Sequence, residues 1–239
     1  MGSVSVVSLL AFGFVMGLKH AVDADHVAAV STTASERRSL LSSSMIGAMW
    51  GLGHTVSLMA GGIVVIFLHF EITKHTEQVL EFCVGIMLVV LGVNTLRKLA
   101  HGMYVHVHVH EHGDHLHAHP HIHEHSEHVG PHTHHGLRLS ARPLLIGIVH
   151  GLAGSAAITL LVLSTISSPA VGLLYIAIFG IGSIGGMMIM STLMALPARF
   201  AAARYTRANL ALRCVTGLFS LTFGLFMIYQ IGFVGRLVR

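Results

Sequence analysis

Two histidines and two aspartates lie within seven residues of an otherwise apolar stretch near the start of the chain, Lys19-His20-Ala-Val-Asp23-Ala-Asp25-His26. Ionisable groups are costly in hydrocarbon, so such a cluster indicates a functional site, unless its members only pair with one another and tie helices together. Imidazole and carboxylate together suit borderline divalent ions such as nickel, cobalt and zinc, whereas magnesium and calcium prefer oxygen ligands. The cluster therefore predicts a transition-metal site.

The ligand set depends on whether the helix is continuous through this cluster. At about 100° per residue, His20, Asp23 and His26 share one arc of about 120°. Asp25 then points away from His20 and would either support the ligands or carry a proton. If the helix unwinds here, His20, Asp25 and His26 converge instead. The spacing leaves both arrangements open.

Two further histidines lie beside glycines in apolar stretches. His54 follows Gly53, and His150 precedes Gly151. Glycine lets a ligand or a backbone approach closely, and imidazole is the commonest metal ligand. The alternative for each is a hydrogen-bonded packing residue. The candidate metal-binding residues are therefore the following six: His20, Asp23, Asp25, His26, His54 and His150.

The composition places these residues in a membrane. The chain has 239 residues, of which 53% are hydrophobic and 10% charged, and its mean hydropathy is +0.74. Soluble domains are about a quarter charged, and disordered chains are more polar still. The 14 Lys and Arg residues are too dispersed for a phosphate-tracking face, which excludes nucleic acid as a partner. Because about 20 apolar residues cross a bilayer, the sequence predicts six transmembrane helices, near residues 3–34, 41–68, 78–97, 143–167, 170–197 and 212–235.

The two halves of the chain resemble each other. Three pairs of segments recur in the same order at offsets of 130, 129 and 132 residues: Gly17–Ala21 with Gly147–Gly151, Trp50–His54 with Phe179–Ser183, and Gly85–Gly92 with Gly217–Gly224. With three spans in each half, the second half must enter the membrane in the opposite sense. The predicted fold is an all-α integral membrane protein with a 3+3 inverted repeat, an arrangement of secondary transporters whose sites lie near the midplane. The first repeat is expected at 1–100 and the second at 142–239.

The segment between the repeats, 101–141, holds 15 of the 21 histidines, all between His101 and His135. Such tracts bind divalent metal weakly at many sites and form no packed core. Ten basic residues lie in or beside the first, third and fifth loops between the predicted spans, of which the third is this segment, and three lie on the opposite side of the membrane. Because basic residues are enriched in cytoplasmic loops, this distribution predicts that the histidine-rich loop is cytoplasmic and that both termini are outside. We expect a cytoplasmic metal buffer that is dispensable for translocation.

The segment His20-Ala-Val-Asp-Ala-Asp25-His26 matches the HX4DH signature of the nickel/cobalt permease family (NiCoT, within the NicO group), and Leu52-Gly53-His54-Thr55 is similar to that family's second motif. The chain resembles in particular the short six-span branch associated with urease accessory clusters. The resemblance implies uptake of nickel or cobalt across the cytoplasmic membrane, with the matching histidines and Asp25 essential. It also implies a cytoplasmic nickel chaperone or urease accessory protein as a partner.

The sequence therefore predicts a multi-pass protein of the cell membrane that imports nickel, and also cobalt, as a secondary permease. No Gly-Lys pair is present, so there is no Walker A motif. No nucleophile–base pair lies outside the membrane, so neither an enzyme nor a resident cofactor is expected. Two alternatives stay open: an exporter with the same site, and a membrane-bound metal store or sensor that feeds an enzyme assembly factor.

Overall fold

A computed structural model describes residues 3–34, 39–68, 73–101, 106–112, 115–121, 141–153, 166, 168–204, 206–235 and 237. The described helices are α1 (Ser3–His20), α2 (Ala24–Ala34), α3 (Leu40–Leu68), α4 (Lys74–Ala100), α5 (Ala141–Ala153), α6 (Pro169–Arg204) and α7 (Thr206–Tyr229), which a π-helix, Gln230–Val234, extends. Two strands, β1 (His106–His112) and β2 (His115–His121), lie in the histidine-rich loop.

Four helical segments are long and apolar enough to cross a bilayer: Leu40–Leu68, Lys74–Ala100, Pro169–Pro197 and Arg207–Val234. The α1–α2 pair passes the same test only as a unit, so the described helices give four to five candidate crossings. The prediction of a multi-pass helical membrane protein is confirmed at this level. The predicted span at 143–167 begins in α5, a shorter apolar helix, and its remaining residues fall mostly outside the described part of the chain.

The first predicted span, 3–34, is two helices bent by 54° and not one. The backbone N–H groups of Val22 and Asp23 donate to the carbonyls of Lys19 and His20 at 2.9 and 3.1 Å. These i→i−3 bonds tighten the last turn of α1 and end it. The α2 helix then starts at Ala24, so the polar cluster of the sequence lies at a break between two helices.

The α2 helix is short and lies among other helices. Its 11 residues span about 16 Å, roughly half the hydrocarbon thickness of a bilayer. It contacts α3, α4, α6 and α7, and its residues from Ala28 to Thr32 are all buried. The hydroxyls of Ser31 and Thr32 donate to the carbonyls of Ala28 and Ala29, at 2.9 and 2.7 Å, so their polar groups are satisfied within the helix. The second half of α2 is thereby held inside the helix bundle.

Glycines let the helices around α2 pack backbone against backbone. A Cβ added at Gly17 of α1 would collide with the carbonyl oxygen of Phe179 in α6, and one added at Gly53 of α3 would collide with that of Leu144 in α5. Small residues at helix contacts are typical of membrane proteins, where close approach replaces hydrophobic burial as the source of association. The α1–α6 and α3–α5 pairs are thus fixed at short separation.

The two strands β1 and β2 form a hairpin in the histidine-rich loop, outside the helical part of the chain. The strands pair antiparallel, with histidine opposite histidine at four positions: His106 with His121, His108 with His119, His110 with His117, and His112 with His115. The sequence alternates histidine with other residues in both strands, and alternation with a period of two is typical of a strand. The period of two therefore accounts for a short hairpin within the predicted histidine-rich loop.

The α6 helix runs on past the predicted end of its span. It continues through Pro197 to Arg204, and its 36 residues extend about 54 Å, well beyond the hydrocarbon thickness. The candidate crossing within it is Pro169–Pro197, close to the predicted span at 170–197.

Candidate metal site

The predicted site residues come from four helices that meet at the break between α1 and α2. His20 is the last residue of α1, Asp25 and His26 lie in the first turn of α2, His54 lies midway along α3, and His150 lies near the end of α5. The C-terminus of a helix carries partial negative charge and the N-terminus partial positive charge. The end of α1 therefore favours a cation, and the start of α2 favours the Asp25 carboxylate.

All four histidines are buried. The exposed fraction is 0% for His26, His54 and His150 and 8% for His20. The side chain of Asp25 is 16% exposed. Burying polar groups is unfavourable unless they have partners, so the arrangement of these side chains around one another is informative.

Three histidines form a first group. One ring nitrogen from each of His20, His26 and His54 lies within 4.8 Å of the other two. Their ring centroids are 4.4 Å apart for His20 and His26, 5.1 Å for His20 and His54, and 5.4 Å for His26 and His54. Three converging imidazoles are a donor set for nickel, cobalt, copper or zinc.

Asp25, His26 and His150 form a second group, again with one donor atom each within 4.8 Å. Asp25 Oδ1 is 3.1 Å from His26 Nδ1, and Asp25 Oδ2 is 3.0 Å from His150 Nε2. The backbone N–H of His26 also donates to Asp25 Oδ1, at 2.9 Å. His26 is thus common to both groups.

These hydrogen bonds assign the ring protons of three histidines. Because a carboxylate only accepts, His26 donates through Nδ1 and His150 through Nε2 to Asp25, and His20 donates through Nδ1 to Asp23 at 2.7 Å. The opposite ring nitrogens, Nε2 of His20 and His26 and Nδ1 of His150, are buried and have no hydrogen-bond partner among the described residues. A histidine held by a carboxylate at one nitrogen is the usual arrangement of a metal ligand, because the bond orients the ring and leaves a lone pair on the other nitrogen.

Asp23 lies outside both groups. Its side chain is 49% exposed, and its contact with the cluster is the bond to His20. The structure therefore brings five of the six predicted residues into the two groups and places Asp23 beside them as a positioning residue. The break in the helix explains why Asp25, and not Asp23, lies among the histidines.

Two aromatic residues flank the cluster, and neither is among the residues predicted from the sequence. Trp50 stacks on His26 with centroids 5.9 Å apart and planes at 13°, and it lies 5.7 Å from His150. Phe179 lies 5.6 Å from His20. Trp50 could have been predicted as a neighbour of the site from its spacing, because it lies four residues before His54 and therefore on the same helix face.

Glycines next to the site bring α3 and α5 together. A Cβ added at Gly151 would collide with the Ser57 hydroxyl and contact the backbone of His54. This close approach sets the centroids of His54 and His150 6.1 Å apart. The neighbouring glycines noted in the sequence thus serve helix packing.

Membrane-length helices around a buried histidine–carboxylate cluster define a multi-pass membrane protein with a candidate transition-metal site. The chain is 38% identical over 233 residues to the urease accessory protein UreH of Bacillus sp. (strain TB-90), an alignment that covers 97% of this chain and 95% of that protein. It therefore belongs to the UreH family of urease accessory proteins. No family model matches the chain, and no solved structure matches it.

Proposed function

We propose that this protein imports nickel ions, and also cobalt, across the cytoplasmic membrane as a secondary transporter. The observation that carries the proposal is the pair of buried three-residue donor groups that share His26 at the break between α1 and α2. A broken helix inside a bundle of membrane-length helices is how secondary transporters expose helix ends and side chains to an ion near the midplane.

The donor set and the family together favour nickel. Neutral imidazoles with one carboxylate suit borderline divalent ions. The relative is a urease accessory protein, and the resemblance of the chain to nickel/cobalt permeases implies the same ions. The imported ion would pass to a cytoplasmic nickel chaperone or another urease accessory protein.

No bound nucleotide is needed for uptake of a divalent cation. Two charges that move inward across 100 mV gain about 4.6 kcal/mol, because each contributes about 2.3 kcal/mol. Release inside is favoured further if a cytoplasmic protein captures the ion. The membrane potential is therefore a sufficient driving force under this proposal.

Helix contacts support an inverted repeat of three plus three spans, with the fourth at 143–167. Gly17 corresponds to Gly147 in the other half, and Phe179 corresponds to Trp50. Gly17 packs against the backbone of Phe179, and Gly147 packs in the same way against the backbone of Trp50, so that a Cβ added at either glycine would collide with the backbone. The contact of Gly53 with Leu144 becomes in the same way that of Gly182 with Phe14. This exchange of partners is what a two-fold axis between the halves requires, and it gives His20 and His150 equivalent positions.

The proposed orientation places the histidine-rich loop in the cytoplasm and both termini outside, following the distribution of basic residues. The loop then lies on the side where the ion is released. Its histidines would hold imported ions before transfer to a protein partner.

The direct test is the flux of radioactive nickel in cells that express the chain. Import predicts accumulation above that of cells without the protein, and His26→Ala should abolish the excess because His26 belongs to both donor groups. Unlabelled cobalt in excess should reduce the accumulation. Equal expression and an unchanged size-exclusion profile in detergent establish that the variant is folded.

His75→Ala is the matched control, because His75 is an exposed histidine at the start of α4, away from the cluster. It should transport like the parent chain. Depletion of cellular nickel would instead identify an exporter, and unchanged flux would identify a store or sensor. Full uptake by His26→Ala would show that the ion does not pass through this site.

A further inference from the structure

We propose that the ion occupies two successive positions in the site, one bounded by His20, His26 and His54 and the other by Asp25, His26 and His150, and that His26 passes it from one to the other. This inference rests on the proposed transport function, but its binding part is tested independently.

The sharing of His26 is the first step. The two groups each satisfy the distance requirement for a metal site, and they have this one residue in common. Its Nδ1 is 3.1 Å from Asp25 in the second group, while its Nε2 is buried without a hydrogen-bond partner among the described residues. The two nitrogens of a single ring thus offer separate bonds to an ion.

The second step is that the two positions exclude each other. A neutral imidazole has one lone pair, so His26 binds an ion through Nε2 while Nδ1 keeps its proton, or through Nδ1 while Nε2 carries it. Binding at both nitrogens at once would require an imidazolate anion. Although the site contains two donor groups, it therefore holds one ion at a time.

The third step concerns charge and hydrogen bonding. The first position offers three neutral nitrogens, whereas the second adds the carboxylate of Asp25. In the structure Asp25 is bonded to both His26 and His150, so an ion that enters the second position replaces these two bonds. The ring protons move to the opposite nitrogens, and no net proton is lost. At the first position the Nε2 atoms of His20 and His26 have no hydrogen bond to give up to another described residue, whereas the second position becomes available only when this exchange occurs.

Trp50 provides a readout of occupancy. It is the only tryptophan of the chain, and it stacks on His26. Bound Ni²⁺ at either position is expected to quench its emission. A titration of the purified full-length protein in detergent with Ni²⁺ should give a single saturating phase.

The test compares His54→Ala, which removes a ligand from the first position, with His150→Ala, which removes one from the second. Because one position remains intact in each, quenching should still saturate, with a Kd within about tenfold of the parent value. Nickel flux should fall at least about tenfold in both, since the ion then lacks one of its two positions. The double variant should lose a further factor of at least about ten in affinity.

Folding is checked by the size-exclusion profile and by the emission maximum of Trp50, and His150→Gln serves if the alanine variant is unstable. Loss of saturable quenching in either single variant would mean that the two groups form one joint site. Normal nickel flux in His150→Ala would show that the ion does not use the second position. Either result leaves nickel transport itself in place. If the parent chain binds as described but moves no nickel, the transport function fails and the two binding positions stand.

Discussion

Asp23 and Asp25 are two residues apart but have different surroundings. Asp25 accepts hydrogen bonds from His26 and His150, on two different helices, whereas Asp23 is half exposed and accepts a hydrogen bond from His20. The sequence left the choice between them open because it depends on where α1 ends. A shift of the break by one or two residues would exchange their roles.

Asp23→Asn should raise the KM for nickel with little change in the maximal rate. The amide oxygen accepts from His20 less strongly than a carboxylate does, so the ring is held less firmly and its Nε2 is less basic. We expect the KM to increase by about tenfold, which is the lower end of the loss in metal affinity when a carboxylate that is hydrogen-bonded to a metal ligand is replaced. Initial uptake rates at a series of nickel concentrations measure it.

Glu77→Gln is the matched control, since it neutralises a carboxylate in the first turn of α4 that belongs to neither donor group. It should leave KM unchanged. A fall in the maximal rate at constant KM in Asp23→Asn would contradict the positioning role.

The cluster itself was predictable from residue types, because two histidines and two aspartates in an apolar stretch are rare in membrane spans unless they serve a function. The neighbours of the cluster were not. Trp50 touches His26 only because α3 packs beside the start of α2, and Phe179 reaches His20 only because α6 packs against α1. Contacts of this kind depend on tertiary packing, which the spacing of residues along one chain does not encode.

At the scale of the helices, the length of the first predicted span already indicated that it is not one continuous helix. Residues 3–34 as one helix would extend about 48 Å, far more than the roughly 30 Å of the hydrocarbon core. A polar centre in a stretch of that length favours a break, and the structure has one at 21–23. The strand hairpin in the histidine-rich loop has a period of two that is likewise visible in the sequence.

The close glycine contacts predict a difference between two substitutions on α3. Gly53→Ala should lower the free energy of unfolding by about 1–3 kcal/mol, because the added methyl group meets the carbonyl oxygen of Leu144. Gly61→Ala should be neutral or stabilising by up to about 1 kcal/mol, since nothing lies within 4 Å of its added Cβ and alanine favours the helix. Thermal unfolding of both variants in detergent compares them on one helix. A Gly53→Ala variant as stable as the parent chain would show that α3 and α5 are further apart than described.

At the scale of the whole molecule, the chain divides into a helical part that contains the cluster and a histidine-rich loop. The register of the hairpin pairs histidine with histidine at four positions. Replacement of these eight histidines by asparagine should lower the amount of nickel bound per chain by up to four ions, one for each pair, and leave the initial rate of uptake unchanged.

Equilibrium dialysis of the purified protein measures the bound nickel, and Val107→Thr with Val109→Thr in the same strand is the control that keeps every histidine. The bound nickel that depends on the loop should also decrease as the pH falls through the ordinary histidine pKa of about 6.5, because a protonated imidazole does not bind metal. A fall in the uptake rate equal to the loss of bound nickel would make the loop part of the path.

The class and the approximate positions of the long helices followed from hydropathy alone, and the candidate crossings in α3, α4, α6 and α7 coincide with four predicted spans to within about five residues. The 143–167 span is described only at its start. Hydropathy finds segments that must avoid water, but it does not fix how far a helix such as α6 continues beyond the bilayer.

The residues at the start of the short α2 helix have no counterparts in the second half of the chain. At the offset of 130, His150 repeats His20, but Ser155 and Ala156 stand where the first half has Asp25 and His26. A fully symmetric inverted repeat would offer an ion the same affinity from either side. Under the proposed transport function, the single copy of Asp25 and His26 would make the inward-facing and outward-facing states bind the ion with unequal affinity.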